Sequence, residues 1–128
     1  MARVADLVQG RRALSVAGDQ SVLEAARLMT EFNIGAVPVM SGDELVGIFS
    51  ERDIMTRVVA AGRSPAMTTI SEVMTARPLV LSPDDSVEQA FFAMQEHGFR
   101  HLVVCEGKKL QGVISLRDVM RARGAAGA

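Results

Sequence analysis

The sequence contains an internal repeat. Shifted by 65 positions, residues 21–58 align with residues 86–123 without a gap, and 13 of the 38 aligned pairs are identical. Because only two copies are present and the period is long, we expect a fused pair that closes on itself, not a solenoid that needs stacked neighbours. The 128 residues are 48% hydrophobic and 23% charged, which is enough apolar surface for a core.

Each copy predicts a strand followed by a helix. Short apolar runs at residues 13–16 and 78–81 predict the first strands. A serine then precedes a Glu or Gln by three positions, which is the spacing of a capping box, and apolar residues recur at steps of three and four. This pattern predicts a helix with one buried face. The capping pairs are Ser21 with Glu24 and Ser86 with Gln89.

A β-hairpin and a second helix complete each copy, which gives the order βαββα. Two apolar runs flank a turn that contains glycine, as hairpin strands do. The predicted hairpin strands are Ala36–Met40, Leu45–Phe49, His101–Cys105 and Leu110–Ile114. The predicted second helices run from near Glu51 to Gly62 and from near Leu116 toward Gly124.

The repeat also predicts the domain boundaries within an α+β fold. We expect a first repeat over residues 1–62, a linker over residues 63–69, a second repeat over residues 70–124 and a flexible tail over residues 125–128. Glycine, serine and proline in the linker are typical of loops.

Composition restricts the classes of partner. The net charge is -1, and the chain has no Trp or Tyr and only five Phe. It therefore lacks the basic field and the aromatic surface that nucleic acid needs, and we expect no nucleic-acid partner and no membrane. A single cysteine excludes an internal disulfide. Since the sequence shows no signal peptide and no apolar stretch of the ~20 residues that cross a bilayer, we expect a cytoplasmic protein.

A shared motif stands where each hairpin meets its second helix. Residues 47–53 and 112–118 both have a glycine, two apolar residues, a serine and, three positions later, an aspartate. One interpretation is structural, because Ser-x-x-Asp is close to a capping signature and the aspartate complements the helix dipole. The other is ligand binding: free amides and the hydroxyl hold a phosphate, the carboxylate accepts a ribose diol, and the glycine lets the ligand approach the backbone. Both can hold together, and the repeated spacing favours binding.

These features together resemble tandem cystathionine-β-synthase-type (CBS) domains, and stand-alone bacterial CBS-pair proteins in particular. The resemblance rests on the two βαββα units, the repeated motif and the strand Ala36–Val39, and it covers nearly the whole chain. It implies two repeats paired through their sheets with pseudo-twofold symmetry. It also implies clefts that bind AMP, ATP, S-adenosylmethionine or NAD-like ligands, and the association of two such modules.

The resemblance assigns roles to particular residues. Asp53 and Asp118 correspond to the carboxylates that bind ribose, and Ser50 and Ser115 to hydroxyls on the phosphate side. The adenine slot is expected to be mostly backbone and apolar, between the first strand and the start of the hairpin. Its residues are Val16, Ala36, Val37 and Pro38 in the first repeat and Val80, Arg100, His101 and Leu102 in the second.

Charge distinguishes the two implied sites. Arg52 and Arg117 are placed to neutralise phosphate in both, although an arginine at the start of a surface helix is as often only solvated. In the second repeat, Arg100 and His101 precede Val103, where the family often has proline. One cleft therefore carries positive charge that the other lacks, and we expect unequal affinities.

The remaining candidate residues have structural interpretations. His97 and His101 are four apart but fall on a helix end and a strand, with no carboxylate or thiol cluster nearby, so no metal site is expected. Cys105 is interpreted as a small buried hydrophobe. Methionines are expected in core and subunit contacts, including the aligned pairs Met29/Met94 and Met55/Met120.

We expect a non-catalytic regulatory module, an energy sensor that binds AMP, ADP or ATP, or else NAD or S-adenosylmethionine, and requires no cofactor. The sequence shows no nucleophile with its base, no Walker-type loop and no metal cluster, so an enzyme is disfavoured. Because the repeats use nearly the whole chain, regulation is expected to act in trans on an unknown target protein. The alternative is a structural CBS pair that mediates association without ligand, since capping alone could retain the serines and aspartates.

A homodimer is also expected, through the second helix of each repeat. These helices carry apolar residues that could form the contact, namely Ile54, Val58, Val59, Val119 and Met120.

Overall fold

The chain alternates short strands and helices, as the sequence predicts. This computed structural model describes the backbone of residues 2–127 and the side chains of residues 2–124. The α+β class and the two βαββα repeats are confirmed. The helices are α1 (Val4–Val8), α2 (Val22–Phe32), α3 (Glu51–Asp53), α4 (Ile70–Val73), α5 (Val87–His97) and α6 (Leu116–Gly127). The strands are β1 (Val16–Ala17), β2 (Ala36–Ser41), β3 (Glu44–Ser50), β4 (Thr75–Ala76), β5 (Val80–Leu81), β6 (His101–Glu106) and β7 (Lys109–Ser115).

The first helix of each repeat begins at its capping box. The Glu24 amide donates to Ser21 Oγ at 3.1 Å, and the Gln89 amide donates to Ser86 Oγ at 3.0 Å. Both helices end in a left-handed residue, Asn33 in α2 and Gly98 in α5. Local sequence signals therefore determine where α2 and α5 start and stop.

The chain folds into two compact units. The central unit is residues 14–78, and the terminal unit combines the described residues up to Ala13 with those from Leu79 onward. The central sheet has the strand order β1-β2-β3-β4, and the terminal sheet has the order β5-β6-β7. In each sheet the first strand is parallel to the hairpin strand that follows it, and the hairpin itself is antiparallel.

The short helices α1 and α4 explain why these units differ from the expected repeat boundaries. In the terminal unit, the Val4 amide of α1 donates to the Asp85 carbonyl at 2.8 Å, and Val4 is fully buried. In the central unit, the Ile70 amide of α4 donates to the Gln20 carbonyl at 2.9 Å, and Ile70 is also fully buried. Each unit is therefore one repeat completed by the short helix that precedes the other repeat, and residues 63–69 belong to the central unit.

The first strands are shorter than expected and begin later. The apolar runs predict strands over residues 13–16 and 78–81, but the ladders contain only β1 and β5. In these ladders Val16 lies opposite Val39 and Val80 lies opposite Val103. Both ladders contain two residue pairs, so the central one is no shorter than the terminal one. In the alignment of the repeats the central ladder begins one pair later, directly after Pro38, which stands where the second repeat has Val103 and has no amide hydrogen to donate.

The second helices differ between the units. In the central unit α3 continues as a π-helical segment (Ile54–Val59), which ends before Gly62. In the terminal unit α6 continues to Gly127 and so extends past Gly124, near which the sequence predicts its end. Of the tail expected over residues 125–128, Ala128 lies outside the described residues.

Each unit has its own apolar core between the sheet and the first helix. A fully buried methylene contributes roughly 0.8 kcal/mol, so these clusters are the main stabilising feature of each unit. The central core contains Val16, Val22, Ala25, Met29, Val37, Val39, Phe49, Val58, Ile70 and Val73. The terminal core contains Val4, Val8, Leu81, Val87, Ala90, Met94, Leu102, Val104, Ile114 and Val119.

Candidate functional site

The hairpin register places Ser50 and Ser115 on the sheet face away from each core. In the central unit Ser50 lies opposite Ala36, one pair beyond Val37 and Phe49, which are both fully buried in the core. Because neighbouring residues of a strand point to opposite faces, Ser50 and Ala36 point away from that core. The same register in the terminal unit places Ser115 opposite His101.

Ser50 and Asp53 cap α3 reciprocally. The Asp53 amide donates to Ser50 Oγ at 3.2 Å, while the Ser50 amide and hydroxyl donate to Asp53 Oδ2 at 2.9 and 3.1 Å. The other carboxylate oxygen, Oδ1, has Arg57 Nε at 3.6 Å, which is beyond hydrogen-bond distance. Within the described chain, Asp53 Oδ1 therefore accepts no hydrogen bond, although the residue is only 8% exposed.

Arg57 is held in place by the backbone of the same unit. Its Nη1 atom donates to the carbonyls of Val73 and Met74 at 3.3 and 3.0 Å. The guanidinium thus lies beside Asp53 as a positive charge without chelating it. The aligned residue of the second repeat is Ala122, so the terminal unit has no equivalent of this arginine.

Asp118 has a different environment, because both of its oxygens are bound. The Ser115 amide donates to Oδ2 at 2.8 Å, and the Asp118 amide donates to Ser115 Oγ at 3.1 Å. The Arg11 guanidinium then chelates the carboxylate, with Nη1 at 3.0 Å from Oδ2 and Nη2 at 2.8 Å from Oδ1. The Asp118 side chain is 14% exposed and that of Arg11 is 43% exposed. This bidentate pairing is the strong form of a charge-assisted hydrogen bond.

The Arg11 pair determines the ionisation of Asp118. Burial opposes ionisation, but the hydrogen bonds from Arg11 and Ser115 and the charge of Arg11 outweigh it, so the pKa of Asp118 lies below its ordinary value. The same hydrogen bond raises the pKa of Arg11. A carboxyl whose pKa is lower in the folded state stabilises the fold above its unfolded pKa of roughly 3.9, and this stabilisation is lost as the pH falls through the folded pKa.

The structural interpretation of the repeated motif is confirmed at both positions, and ligand binding stays a prediction. The first amides of α3 are less available than we expected. The Glu51 amide donates to the Gly35 carbonyl at 2.9 Å, and the Asp53 amide is used by Ser50. A phosphate at this helix start would therefore depend on the Arg52 side chain more than on free backbone amides.

The glycine of the motif has a structural cause that the sequence interpretation missed. A Cβ added to Gly47 would lie 2.5 Å from Met74 Sδ and 2.9 Å from the Thr75 carbonyl oxygen. At Gly112 it would lie 3.4 Å from Val8 Cγ1, and the backbone φ is +151°. The segment that follows α4 fills the space beside the Gly47 Cα, which is a structural reason for this glycine, and the approach of a ligand to its backbone stays a prediction.

The candidate phosphate-side arginines are free. The side chains of Arg52 and Arg117 are exposed, and neither has a hydrogen-bond or ion-pair partner within the part of the chain that the structure describes. In the second repeat, Arg100 is also exposed and its carbonyl accepts from the Leu116 amide at 2.8 Å. The two helix starts thus carry positive charge next to a capped aspartate.

The expected adenine-slot residues separate into two groups. Val16 and Val37 belong to the central core and Leu102 to the terminal core, so only their backbone could meet a ligand. The remaining slot residues lie outside both core clusters. Of these, Ala36 and Pro38 are buried, His101 is half-buried, and Val80 and Arg100 are exposed.

The apolar residues expected to form a dimer contact are only partly available. Val58 and Val119 are fully buried in the cores, so their assignment to a subunit contact is wrong. Val59 is 65% exposed and Met120 49% exposed. Met55, the aligned partner of Met120, is 59% exposed. Ile54 packs against the central core and is half-buried.

The other interpreted side chains lie in ordinary structural environments. Cys105 is buried as expected, and burial raises the pKa of its thiol. The exposed His97 stacks on Phe99 with ring centroids 5.4 Å apart. In the described part of the chain, no three His, Cys, Asp or Glu side chains come together as a possible metal-ligand set. None of the helices between residues 2 and 127 has the length and apolar composition that a membrane crossing needs.

Neither of the arginines beside the two aspartates was predicted from the sequence. Arg11 lies outside the aligned repeat and pairs with a residue 107 positions away, so no local pattern indicates it. Arg57 falls within the repeat, and its replacement by alanine in the second copy was a visible signal that the two motifs have different surroundings.

Comparisons with known proteins agree on one family. A model of the CBS domain matches residues 4–60 and 70–125. The CBS domain-containing protein YhcV of Bacillus subtilis is 36% identical over 105 residues, which cover 82% of this chain and 74% of YhcV. The mitochondrial CBS domain-containing protein CBSX3 of Arabidopsis thaliana is 33% identical over 109 residues, which cover 81% of this chain and 53% of CBSX3.

Solved structures share the same fold. A CBS-domain protein from Burkholderia ambifaria superposes with a TM-score of 0.91 at 36% identity, covering 97% of this chain and 95% of that protein. CBSX2, solved in complex with AMP, superposes with a TM-score of 0.79 at 24% identity and full coverage of both chains. At that identity the likeness to CBSX2 concerns the fold alone.

Proposed function

This chain belongs to the CBS domain family, and from that premise we propose that it is a non-catalytic regulatory module that binds an adenine nucleotide. Asp53 and Asp118 bind the ribose, and Arg52 and Arg117 bind the phosphate. The bound nucleotide then alters how the module acts in trans on a target protein.

The open oxygen of Asp53 is the observation that carries this proposal. A carboxylate offers about four lone-pair sites. Two donors from Ser50 occupy Oδ2, and Oδ1 accepts nothing within the described chain. The two hydroxyls of a ribose diol would supply the two missing donors. Capping and ribose binding are therefore compatible at Asp53.

The side chains around Asp53 favour a ribose that carries phosphate. Arg52 is exposed and unpaired, one position before the aspartate, and Arg57 adds a second positive charge 3.6 Å from Oδ1. An anionic group is stabilised beside such charges. A protein of the same fold, CBSX2, is solved with AMP, so AMP is the first nucleotide to test.

A structural CBS pair without ligand is the alternative function. Its support is that both motifs already have complete capping roles, and that Met55, Val59 and Met120 are exposed. In that case the module would act through association alone. We propose that the exposed apolar residues form a homodimer contact in either case, so ligand binding decides between the two functions.

A thermal-shift screen separates these functions. The ligands are AMP, ADP, ATP, NAD and S-adenosylmethionine, each tested on the wild type and on the double variant Asp53→Asn/Asp118→Asn. A nucleotide that binds only the folded state stabilises it by about 2.7 kcal/mol at a hundredfold excess over its Kd. We expect at least one nucleotide to raise the Tm of the wild type and not that of the double variant. If no ligand shifts the wild type, the structural alternative holds.

A further inference from the structure

Arg11 occupies the carboxylate that the second site needs. Its guanidinium chelates both oxygens of Asp118, at 2.8 and 3.0 Å, and its Nη1 also reaches the Val113 carbonyl at 3.5 Å. Arg11 belongs to the segment that joins α1 to β1, far from Asp118 along the chain. The contact is therefore made by tertiary packing within the terminal unit and not by the repeat itself.

Counting acceptor sites shows that Arg11 and a ribose diol exclude each other. Of about four lone-pair sites on a carboxylate, the Ser115 amide uses one and the Arg11 guanidinium uses two. A diol needs two more, which exceeds the number available. Asp53 has no such competitor, because Arg57 stays 3.6 Å away and is tied to two backbone carbonyls.

We propose that Arg11 is a built-in competitor for the ribose site of Asp118. The Asp53 site fills first, and nucleotide binds at Asp118 only when the Arg11 side chain leaves the carboxylate. This inference rests on the proposed function, since it names the residue that regulates one of the two nucleotide sites.

The local structure allows Arg11 to leave without unfolding the terminal unit. The residues around it, 9–13, are all exposed, and the Arg11 side chain is 43% exposed. The preceding helix α1 is anchored separately, by buried Val4 and Val8 and by hydrogen bonds from its amides to the carbonyls of Pro83 and Asp85. Exchange of Asp118 between arginine and ligand therefore requires only movement of one side chain.

Calorimetry with AMP in an Asp53→Asn background tests the competitor, because only the Asp118 site then remains. We compare D53N, D53N/R11A and D53N/R11K. Removing a partly exposed ion pair should tighten AMP binding at the Asp118 site about three- to fivefold in R11A. Lysine keeps the charge but cannot chelate the carboxylate, so the AMP affinity of D53N/R11K should lie between those of D53N and D53N/R11A. Without ligand, NMR titration should show a higher pKa for Asp118 in R11A than in the wild type.

Arg63→Ala is the matched control. Arg63 forms an ion pair with Glu72 of the same 2.8 Å length, in the central unit, so its removal changes the net charge equally and should leave AMP affinity unchanged. Unchanged or weaker AMP binding in D53N/R11A, while the wild type still binds, overturns the competitor and leaves the proposed function intact. No AMP binding in the wild type or in any variant overturns both.

Discussion

Asp53 and Asp118 occupy the same position of the repeat, yet they meet arginines that come from different parts of the chain. In the central unit the arginine is Arg57, four residues further along the same helix, and it leaves one carboxylate oxygen open. In the terminal unit the arginine is Arg11, which donates hydrogen bonds to both carboxylate oxygens of Asp118. A repeated backbone therefore does not make two equal candidate sites, because neither arginine is repeated: Arg11 lies outside the aligned residues, and Arg57 is replaced by Ala122 in the second copy.

The second helices show the same divergence. The central helix passes into a π-helical turn directly after Asp53, whereas α6 of the terminal unit is α-helical from Leu116 to Gly127. π-Helical turns are rare and occur often at functional sites. Asp53 and Arg57 both lie at this turn, which agrees with the central unit having the more open carboxylate.

The largest expected change in the free energy of unfolding is at Gly47, the glycine of the motif in the central unit. Gly47→Ala places a Cβ 2.5 Å from Met74 Sδ and 2.9 Å from the Thr75 carbonyl oxygen. The backbone oxygen cannot yield as a flexible side chain could, so overpacking should lower the free energy of unfolding by about 1–3 kcal/mol. Urea unfolding measures this change.

Gly124→Ala is the control for that substitution. Nothing lies within 4 Å of a Cβ at Gly124, which is helical, so alanine should instead stabilise the protein by roughly 0.5–1 kcal/mol. Equal unfolding free energies for the two variants would contradict the close approach of the segment after α4 to Gly47.

Local patterns predicted the elements, and long-range packing determined the rest. The capping boxes at Ser21 and Ser86 could be predicted because their partners lie three residues away. The placement of α1 in the terminal unit could not, because it depends on buried contacts with residues about 80 positions later. The π-helical turn was also missed, since its apolar pattern is that of an α-helix.

The candidate site divides in the same way. The serines and aspartates follow from the repeated motif and lie where it places them, next to a helix start. The two arginine contacts and the obstruction behind Gly47 do not follow, because each needs a tertiary contact. The sequence therefore predicts the serines and aspartates that the two candidate sites share. The structure shows that both carboxylate oxygens of Asp118 accept hydrogen bonds, whereas within the described chain only Oδ2 of Asp53 does.

A smaller effect is expected for the exposed apolar residues of the second helices. Met55→Asp places a charge on the more exposed of the two aligned methionines, and an unpaired charge in a contact between subunits is unfavourable. The dimer dissociation constant should rise about tenfold or more. Light scattering over a range of micromolar concentrations measures the average mass of the protein in solution, which shows how much of each variant is dimeric.

Met67→Asp is the control for the dimer, because Met67 is 83% exposed but lies outside the second helices. It should leave the dimer unchanged. A monomeric wild type, or a Met55→Asp variant that stays as dimeric as the control, would contradict a contact through these helices.

Titration of AMP into the single variants Asp53→Asn and Asp118→Asn tests the difference between the two carboxylates most directly. Replacing the carboxylate removes charge-assisted bonds of roughly 1.5–3 kcal/mol, so Asp53→Asn should weaken the tighter binding event by at least about tenfold. Asp118→Asn should leave that event unchanged and abolish only the weaker one. Wild-type affinity in Asp53→Asn, or loss of the tighter event in Asp118→Asn, would contradict the assignment of Asp53 as the open site.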